Sequence, residues 1–268
     1  MRFWDRVTLK ERAKIVLKNT YWMTFLALLI ISFMGASSNG SSQGIGATVS
    51  SAIGGVVTLI VSLITSTSGY YNGWGNLPGF ALAGSVIFLI YTVIFLFAAA
   101  FVIFLGNVMH VGKCRYLTMC RYGEVDLGQL FFPFKAGQYG NTVKVMFFKD
   151  LQIFLWSLLF VIPGIIKSFE YWMVPYILAE NPFISKERAF EISSNATRGE
   201  KWDIFVLQLS FIGWFFLGVV AGCGIGSLFV SPYYEATQAE LYGALRYKAV
   251  MTGLCTKEEI GRELFVPN

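Results

Sequence analysis

The chain has 268 residues, of which 55% are hydrophobic and only 14% are charged, and its mean hydropathy is +0.59. A typical soluble domain has about 25% charged residues. The apolar residues also form blocks long enough for a membrane-crossing helix, which needs roughly 20 residues. This composition excludes an ordinary soluble protein and predicts an integral membrane protein. The net charge of +5 indicates anionic lipid headgroups at the cytoplasmic face, rather than nucleic acid, as the counter-charge, because the basic residues flank apolar blocks.

The N-terminal segment predicts a basic amphipathic helix over residues 8–19. The first 19 residues carry six Lys and Arg against two acidic residues. Thr8 and Glu11 have the spacing of a capping box. One helical face is apolar and consists of Leu9, Ala13, Val16 and Leu17. We expect this helix to lie in the headgroup region; the alternative is a solvated helix that simply begins the first span.

Six membrane spans are predicted, at about residues 20–36, 80–108, 145–162, 165–178, 203–220 and 227–242. Basic residues in the loops 109–144 and 181–202 and in the tail 248–268 place these segments and the N-terminus on the cytoplasmic side. The predicted fold class is therefore an all-α, polytopic helical membrane protein whose spans form hairpins, with residues 1–268 as a single integral domain in the cell membrane. A five-span alternative would leave the tail outside.

The loop over residues 37–79 contains no charged residue. The positive-inside rule therefore predicts that it is extracytoplasmic. Its apolar piece, residues 53–64, is short and interrupted by glycine, which favours a re-entrant or interfacial helix over a full span.

Two cytoplasmic features stand out between the predicted spans. The motif LFFPF around Pro133 is an apolar patch, expected to dock either on the membrane surface or on the helix bundle. Residues 185–198 predict a second basic amphipathic helix, because Ser185 is a good N-cap and Gly199 suits a helix C-terminus.

The second half of the chain predicts two helical hairpins of similar design. One turns at Pro163 and Gly164, and the other turns in the glycine-rich segment AGCGIG. Each returning helix contains a proline, Pro175 or Pro232, which is expected to kink it because proline removes one backbone hydrogen bond.

Ionisable and polar side chains in the returning helices form a candidate intramembrane polar site, since charges inside a span usually face the bundle interior or a wet cavity. Lys167 and Glu170 can pair on one helix face, or Lys167 can anchor the helix at the interface. Glu235 and Gln238 belong to the sixth span, and Glu170 and Glu235 could meet across the bundle. Glu180 and Glu240 are expected at the cytoplasmic rim as solvated residues.

Catalysis finds little support in the residues. Cys114, Cys120, Cys223 and Cys255 show no C-x-x-C spacing, and His110 is the only histidine, so we expect no catalytic residue, metal site or cofactor. The cysteines are interpreted as small buried or interfacial residues.

Three stretches of the sequence resemble a family of multi-span membrane proteins of Gram-positive bacteria that is classed as a domain of unknown function. They are PGIIKSFEYWMVPYILAENP, SFIGWFFLG and LFVSPYYEATQAELY. The opening KERAKIVLKNTYW fits the same family, so the resemblance covers nearly the whole chain. More loosely, AFEISSNATRGEKW is similar to a linker helix in the membrane region attached to some glycerophosphodiester phosphodiesterases. The resemblance implies a helical membrane protein and brings no substrate or active site.

Two functions follow from these observations. Buried ionisable residues favour permease-like transport of a small solute, or lipid handling. The surface helices and the uncharged outer loop also suit a non-catalytic membrane scaffold or accessory factor for envelope proteins, whose protein partner the sequence does not identify. A transporter should depend on Glu170 and Glu235, whereas a scaffold should depend on its amphipathic helices.

Overall fold

The computed structural model describes residues 4–33, 89–94, 97, 100–135, 137, 139–221, 226–257 and 259–260. All the regular elements in these ranges are helical, which agrees with the predicted all-α class. The α-helices are α1 (Arg6–Phe33), α2 (Asn107–Arg121), α3 (Phe132–Lys135), α4 (Tyr139–Leu159), α5 (Val161–Glu170), α6 (Val174–Glu180), α7 (Lys186–Ala196), α8 (Lys201–Ala221) and α9 (Gly226–Met251). A π-helical turn, Val102–Gly106, precedes α2, and a 3-10 helix, Leu127–Phe131, precedes α3.

Helix α1 joins two segments that the sequence predicted separately. The surface helix and the first span form one uninterrupted helix, Arg6–Phe33. It begins before Thr8, so the predicted capping box is wrong. Asp5 takes the capping role, because its carboxylate accepts a hydrogen bond from the backbone N–H of Val7 at 3.2 Å.

The apolar face of α1 packs on α9 rather than on lipid. Leu9, Ala13 and Leu17 are buried, as the helical periodicity predicted. Ala13 and Leu17 contact Ala236 of α9, so the predicted interfacial contact through this face is wrong. The two helices run antiparallel, since Phe25, further along α1, stacks on the earlier residue Phe229 at 5.3 Å.

Helix α2 lies in the centre of the bundle and contacts α1, α4, α6 and α9. The predicted LFFPF patch forms the 3-10 helix and α3 beside it. Leu130 and Pro133 are buried against the bundle, whereas Phe131 and Phe134 point outward. The patch therefore docks on the bundle and also presents an apolar outer side.

Helices α4 and α5 form the first predicted hairpin. The chain turns at Phe160, whose backbone is extended (φ −155°, ψ 142°), and not at Pro163 and Gly164, which lie in the first turns of α5. Gly164 instead allows close helix packing, because a Cβ atom there would lie 2.1 Å from the Ser157 hydroxyl oxygen.

The predicted fourth span is broken into α5 and α6 by a turn at residues 171–173. A ten-residue helix such as α5 is about 15 Å long, which is half of a hydrocarbon core of about 30 Å. Pro175 lies in the first turn of α6 and not inside a helix. It therefore produces no kink, because the first turn needs no backbone N–H partner there.

Helix α7 agrees with its sequence signals. The Ser185 hydroxyl accepts from the backbone N–H of Arg188, and Gly199, shortly after the helix end, has a φ of +81°. Ala189, Ile192 and Ala196 are buried against the bundle. The predicted helix at residues 185–198 is thus confirmed, and its apolar face packs on the bundle.

Replacing Ser185 with alanine is expected to lower the free energy of unfolding by about 1 kcal/mol, because the N-terminal backbone donors of α7 lose their acceptor. Chemical unfolding in micelles measures the change. Ser185→Asp, which keeps an acceptor, is the matched control and should retain most of the stability; equal losses in both variants would contradict a capping role.

Helices α8 and α9 form the second predicted hairpin, and their connection, residues 222–225, lies outside the described ranges. They approach closely at their ends, where a Cβ atom on Gly226 would lie 2.5 Å from the carbonyl oxygen of Gly218. Pro232 lies inside α9, as predicted. Helix α9 continues to Met251, beyond the predicted end of the sixth span.

One helical stretch in the described part of the chain, Arg6–Ile31, is both long and apolar enough to cross a bilayer, and 33% of its most apolar 18 residues are buried. The predicted outer loop 37–79, with its helix 53–64, lies outside the described ranges, as do residues 261–268 of the predicted tail.

Candidate functional site

A polar cavity of about 40 Å³ lies between α2, α4, α5, α6 and α9. Its polar lining includes His110 and Lys113 from α2, Lys149 from α4, and Glu235 and Gln238 from α9. Two of the four predicted site residues, Glu235 and Gln238, are therefore brought together in it.

Lys113 and Glu235 form the most deeply buried ion pair of the cavity wall. The Lys113 ammonium donates to a Glu235 carboxylate oxygen at 2.8 Å, and each side chain is 1% exposed. The sequence placed Lys113 in a cytoplasmic loop, but α2 extends the helical structure past it into the core. The pair joins α2 to α9 and neutralises both charges.

A second charge pair lies on α4, inside the predicted third span. Lys149 and Asp150 are buried, and their charged atoms are 3.2 Å apart. The Asn107 amide donates to the other Asp150 oxygen at 2.8 Å. Lys149 lines the cavity, whereas Asp150, which does not line it, is held beside α2 by Asn107.

Gln238 is the polar group of the cavity without a protein partner. Its side chain is 1% exposed, and neither its amide nitrogen nor its amide oxygen has a hydrogen-bond partner among the described residues. A buried amide without partners costs free energy, and a water or ligand in the cavity that bonds to it would offset that cost.

His110 also borders the cavity and is held neutral. Burial, followed by the positive charges of Lys113 and Lys149, lowers the pKa of His110 well below 6.5. A neutral imidazole offers one donor and one acceptor. The positive charges of Lys113 and Lys149 therefore both act on His110, which lines the same cavity.

Lys167 and Glu170 form the predicted pair, with 2.9 Å between their charged atoms. Glu170 also accepts from the Ser194 hydroxyl of α7 at 2.8 Å and pairs with Lys201 of α8 at 3.0 Å. Glu170 does not line the cavity with Glu235, and in the described part of the chain each carboxylate has its own ion-pair partners. Glu170 therefore ties α5 to α7 and α8.

The break before α6 is bridged by Ser193 of α7. Its hydroxyl donates to the backbone carbonyl of Glu170 at 2.6 Å and accepts from the backbone N–H of Met173 at 3.3 Å. Two backbone groups that an intact helix would satisfy internally are thus satisfied by a neighbouring helix.

Glu180 and Glu240 are buried, so the prediction that both are solvated is wrong. Glu180 pairs with Arg246 at 3.0 Å and accepts from the Tyr242 hydroxyl at 2.8 Å. Glu240 pairs with Arg121 at 2.8 Å. Their arginine partners lie far away in sequence, which is why local spacing gave no sign of the pairing.

The Glu180 carboxyl is expected to make stability depend on pH. Burial, opposed by Arg246, raises its pKa to about 7 from the usual 4.5. Between these values the native state binds more protons than the unfolded chain, so the free energy of unfolding should fall as the pH rises from about 4.5 to about 7. Glu180→Gln stays neutral and should lack this component.

Unfolding of both proteins across this pH range gives the measurement, and the difference between them isolates Glu180. A parent protein that gains stability relative to Glu180→Gln as pH rises would contradict the raised pKa.

The described cysteines are held in the thiol form. Burial raises the pKa of Cys114 to about 12 and that of Cys255 to about 11. Thiols are far weaker nucleophiles and metal ligands than thiolates. In the described part of the chain, no group of three or more His, Cys, Asp and Glu side chains is placed to hold a metal ion.

Sequence reasoning missed His110, Lys113 and Lys149 as members of the site. Lys149 and Asp150 offered a usable signal, because adjacent charges within a predicted span are expensive unless they face the bundle interior. Lys113 offered none, because its partner lies 122 residues away in the chain.

Comparison with known proteins finds a family that resembles part of the chain. Residues 158–249 match a family described as a protein of unknown function (DUF975). This stretch holds Glu170, Glu235 and Gln238. It begins after Lys113 and Lys149 in the chain, so the two cavity lysines lie outside it. The match supports the predicted resemblance over this part of the chain. No curated protein and no solved structure matches.

Proposed function

We propose that this protein is a multi-pass protein of the cell membrane, with a cytoplasmic N-terminus, and that it carries a small solute through the polar cavity. The distribution of side chains supports the membrane setting. Trp22, Phe97, Leu158 and Phe216 are among many exposed large apolar residues in the predicted spans, whereas Lys113 is buried. A soluble protein has the opposite arrangement.

The relationship to the family is proposed to extend beyond the matched residues to the N-terminal helix. A Gram-positive cell envelope, and a distant similarity to the membrane region attached to some glycerophosphodiester phosphodiesterases, belong to the same proposal. Alkaline extraction tests the membrane assignment: the protein should stay with the membrane pellet, and release into the supernatant would contradict it.

The unpartnered amide of Gln238 is the observation that carries the transport function. It faces a cavity beside a buried ion pair, inside a bundle whose outer surface is apolar. A structural role alone would be served better by an apolar side chain at this position, because an unsatisfied buried amide destabilises the fold. A solute that binds there would offset that cost.

Proteoliposomes test transport directly. Light scattering follows volume recovery after a hyperosmotic shift with potassium chloride, potassium nitrate or urea, with valinomycin present to balance charge. Recovery with at least one solute, and its loss in Gln238→Leu, is expected. Lys186→Gln, which removes a surface charge away from the cavity, is the matched control. No recovery with any of the three solutes would overturn the transport proposal.

A membrane scaffold or accessory factor is the second candidate, and the bonding of Glu170 favours it. All the polar contacts of this carboxylate hold α5, α7 and α8 together, which suits a rigid, non-transporting bundle. On this alternative, Gln238→Leu should leave the cellular phenotype of the gene intact, whereas removal of the basic residues of α1 should abolish it.

A further inference from the structure

The charges that face the cavity do not cancel. Lys113, Lys149 and Glu235 line it, which gives two positive charges and one negative charge among the described lining residues. Asp150, the partner of Lys149, does not line the cavity, and Asn107 holds its second oxygen. Ammonium groups therefore outnumber carboxylates among the described lining residues, and the carboxylate that pairs with Lys149 lies behind the lining.

The donors of the cavity point to the same ligand chemistry. The Gln238 amide nitrogen has two N–H donors and no partner among the described residues. An ammonium group has three N–H donors and no acceptor. Lys113 and Lys149 therefore have N–H donors beyond those that bond to their carboxylate partners. A cation would meet two ammonium groups, whereas an anion would meet donors.

The volume sets the size of the ligand. One water molecule needs about 10–15 Å³ of cavity volume. A cavity of about 40 Å³ therefore holds two to four waters. A halide or nitrate ion fits this space. A phosphorylated lipid headgroup or an organic anion as large as gluconate does not.

We infer that the cavity lined by Lys113, Lys149 and Gln238 is a binding site for a small monovalent inorganic anion. The anion lies between the two ammonium groups and accepts from the Gln238 amide. The inference that this anion is the transported solute rests on the proposed function. Binding of the anion is measured without transport.

Thermal unfolding of the purified full chain in detergent tests the site. At matched ionic strength, the protein is compared in potassium chloride, bromide or nitrate and in potassium gluconate, whose anion is too large for the cavity. A small anion at ten times its Kd should raise the Tm by about 3–6 °C over gluconate.

Two variants assign the effect to the cavity. Gln238→Leu should fold and show a Tm in gluconate at least as high as the parent protein, because it removes an unsatisfied amide, and it should lose the anion-dependent rise. Lys186→Gln also removes a positive charge, but its side chain is 27% exposed and does not line the cavity, so it should keep the rise.

Each remaining outcome decides a separate point. Equal Tm values in chloride, bromide, nitrate and gluconate would overturn the inference and leave a cavity filled by water. A rise that persists in Gln238→Leu would place the anion elsewhere and also overturn it. A rise that depends on Gln238, with no volume recovery in proteoliposomes, would uphold the anion site while overturning transport.

Discussion

Replacing Lys113 with methionine is expected to lower the free energy of unfolding by about 3–5 kcal/mol. The substitution leaves the Glu235 carboxylate buried without the ion-pair partner that it has among the described residues, and both side chains are 1% exposed. Removing a buried charge's partner costs more than the pair itself contributes, because the remaining charge has lost its hydration and gained nothing in return. Chemical unfolding in micelles gives the free energy.

The double variant Lys113→Met with Glu235→Leu is the decisive control. It removes both charges and replaces them with apolar side chains, so it should recover most of the stability that Lys113→Met loses. Non-additivity of this kind is expected for residues in direct contact. A double variant less stable than Lys113→Met would show that the pair itself, and not the unpaired carboxylate, governs the loss.

Replacing Gly112 with alanine is expected to destabilise the protein by about 2–3 kcal/mol, although alanine favours helices. A Cβ atom at this position would lie 1.9 Å from the carbonyl oxygen of Leu130 and 2.8 Å from its carbonyl carbon. Both atoms belong to the backbone, so the 3-10 helix must move away from α2. Overpacking of this kind outweighs the helix propensity gained.

Gly140 provides the matched control within α4, since a Cβ atom there has no heavy atom within 4 Å. Gly140→Ala should therefore keep or slightly raise the free energy of unfolding, by up to about 1 kcal/mol. If Gly112→Ala behaved as Gly140→Ala does, the close approach of the 3-10 helix to α2 would be contradicted.

Local chemistry predicted the elements whose determinants lie close together in sequence. Ser185 and Gly199 set the ends of α7, and the apolar period of Leu9, Ala13 and Leu17 identified the packed face of α1. In both cases each deciding residue acts on positions within one or two helical turns of itself. The sequence therefore predicted the ends of α7 and the apolar face of α1, but not that α9 covers this face.

The broken fourth span could not be predicted in this way. Its apolar run continues across residues 171–173, and the break is stabilised by the hydroxyl of Ser193, which belongs to another helix. Pro175 was predicted to kink a helix but instead lies at a helix start, because proline is compatible with both positions. Only tertiary structure distinguishes the two.

Two of the four residues predicted for the candidate site line the cavity. Glu235 and Gln238 were identified because polar residues in a span are expected to face the interior. Their surroundings, Lys113 and Lys149, depend on how α2 and α4 pack against α9, which the pattern of apolar blocks does not determine. For the same reason the ion pairs of Glu180 and Glu240 with distant arginines were not anticipated.

The two ion pairs between α2 and α9 constrain chain length as well as residue identity. Lys113 and Arg121 pair with Glu235 and Glu240, so both intervals along the helices must keep their lengths. One residue inserted between Glu235 and Glu240 would rotate the rest of α9 by about 100° and carry Glu240 away from Arg121. We therefore expect relatives of this protein to vary in length elsewhere and to keep these two intervals unchanged.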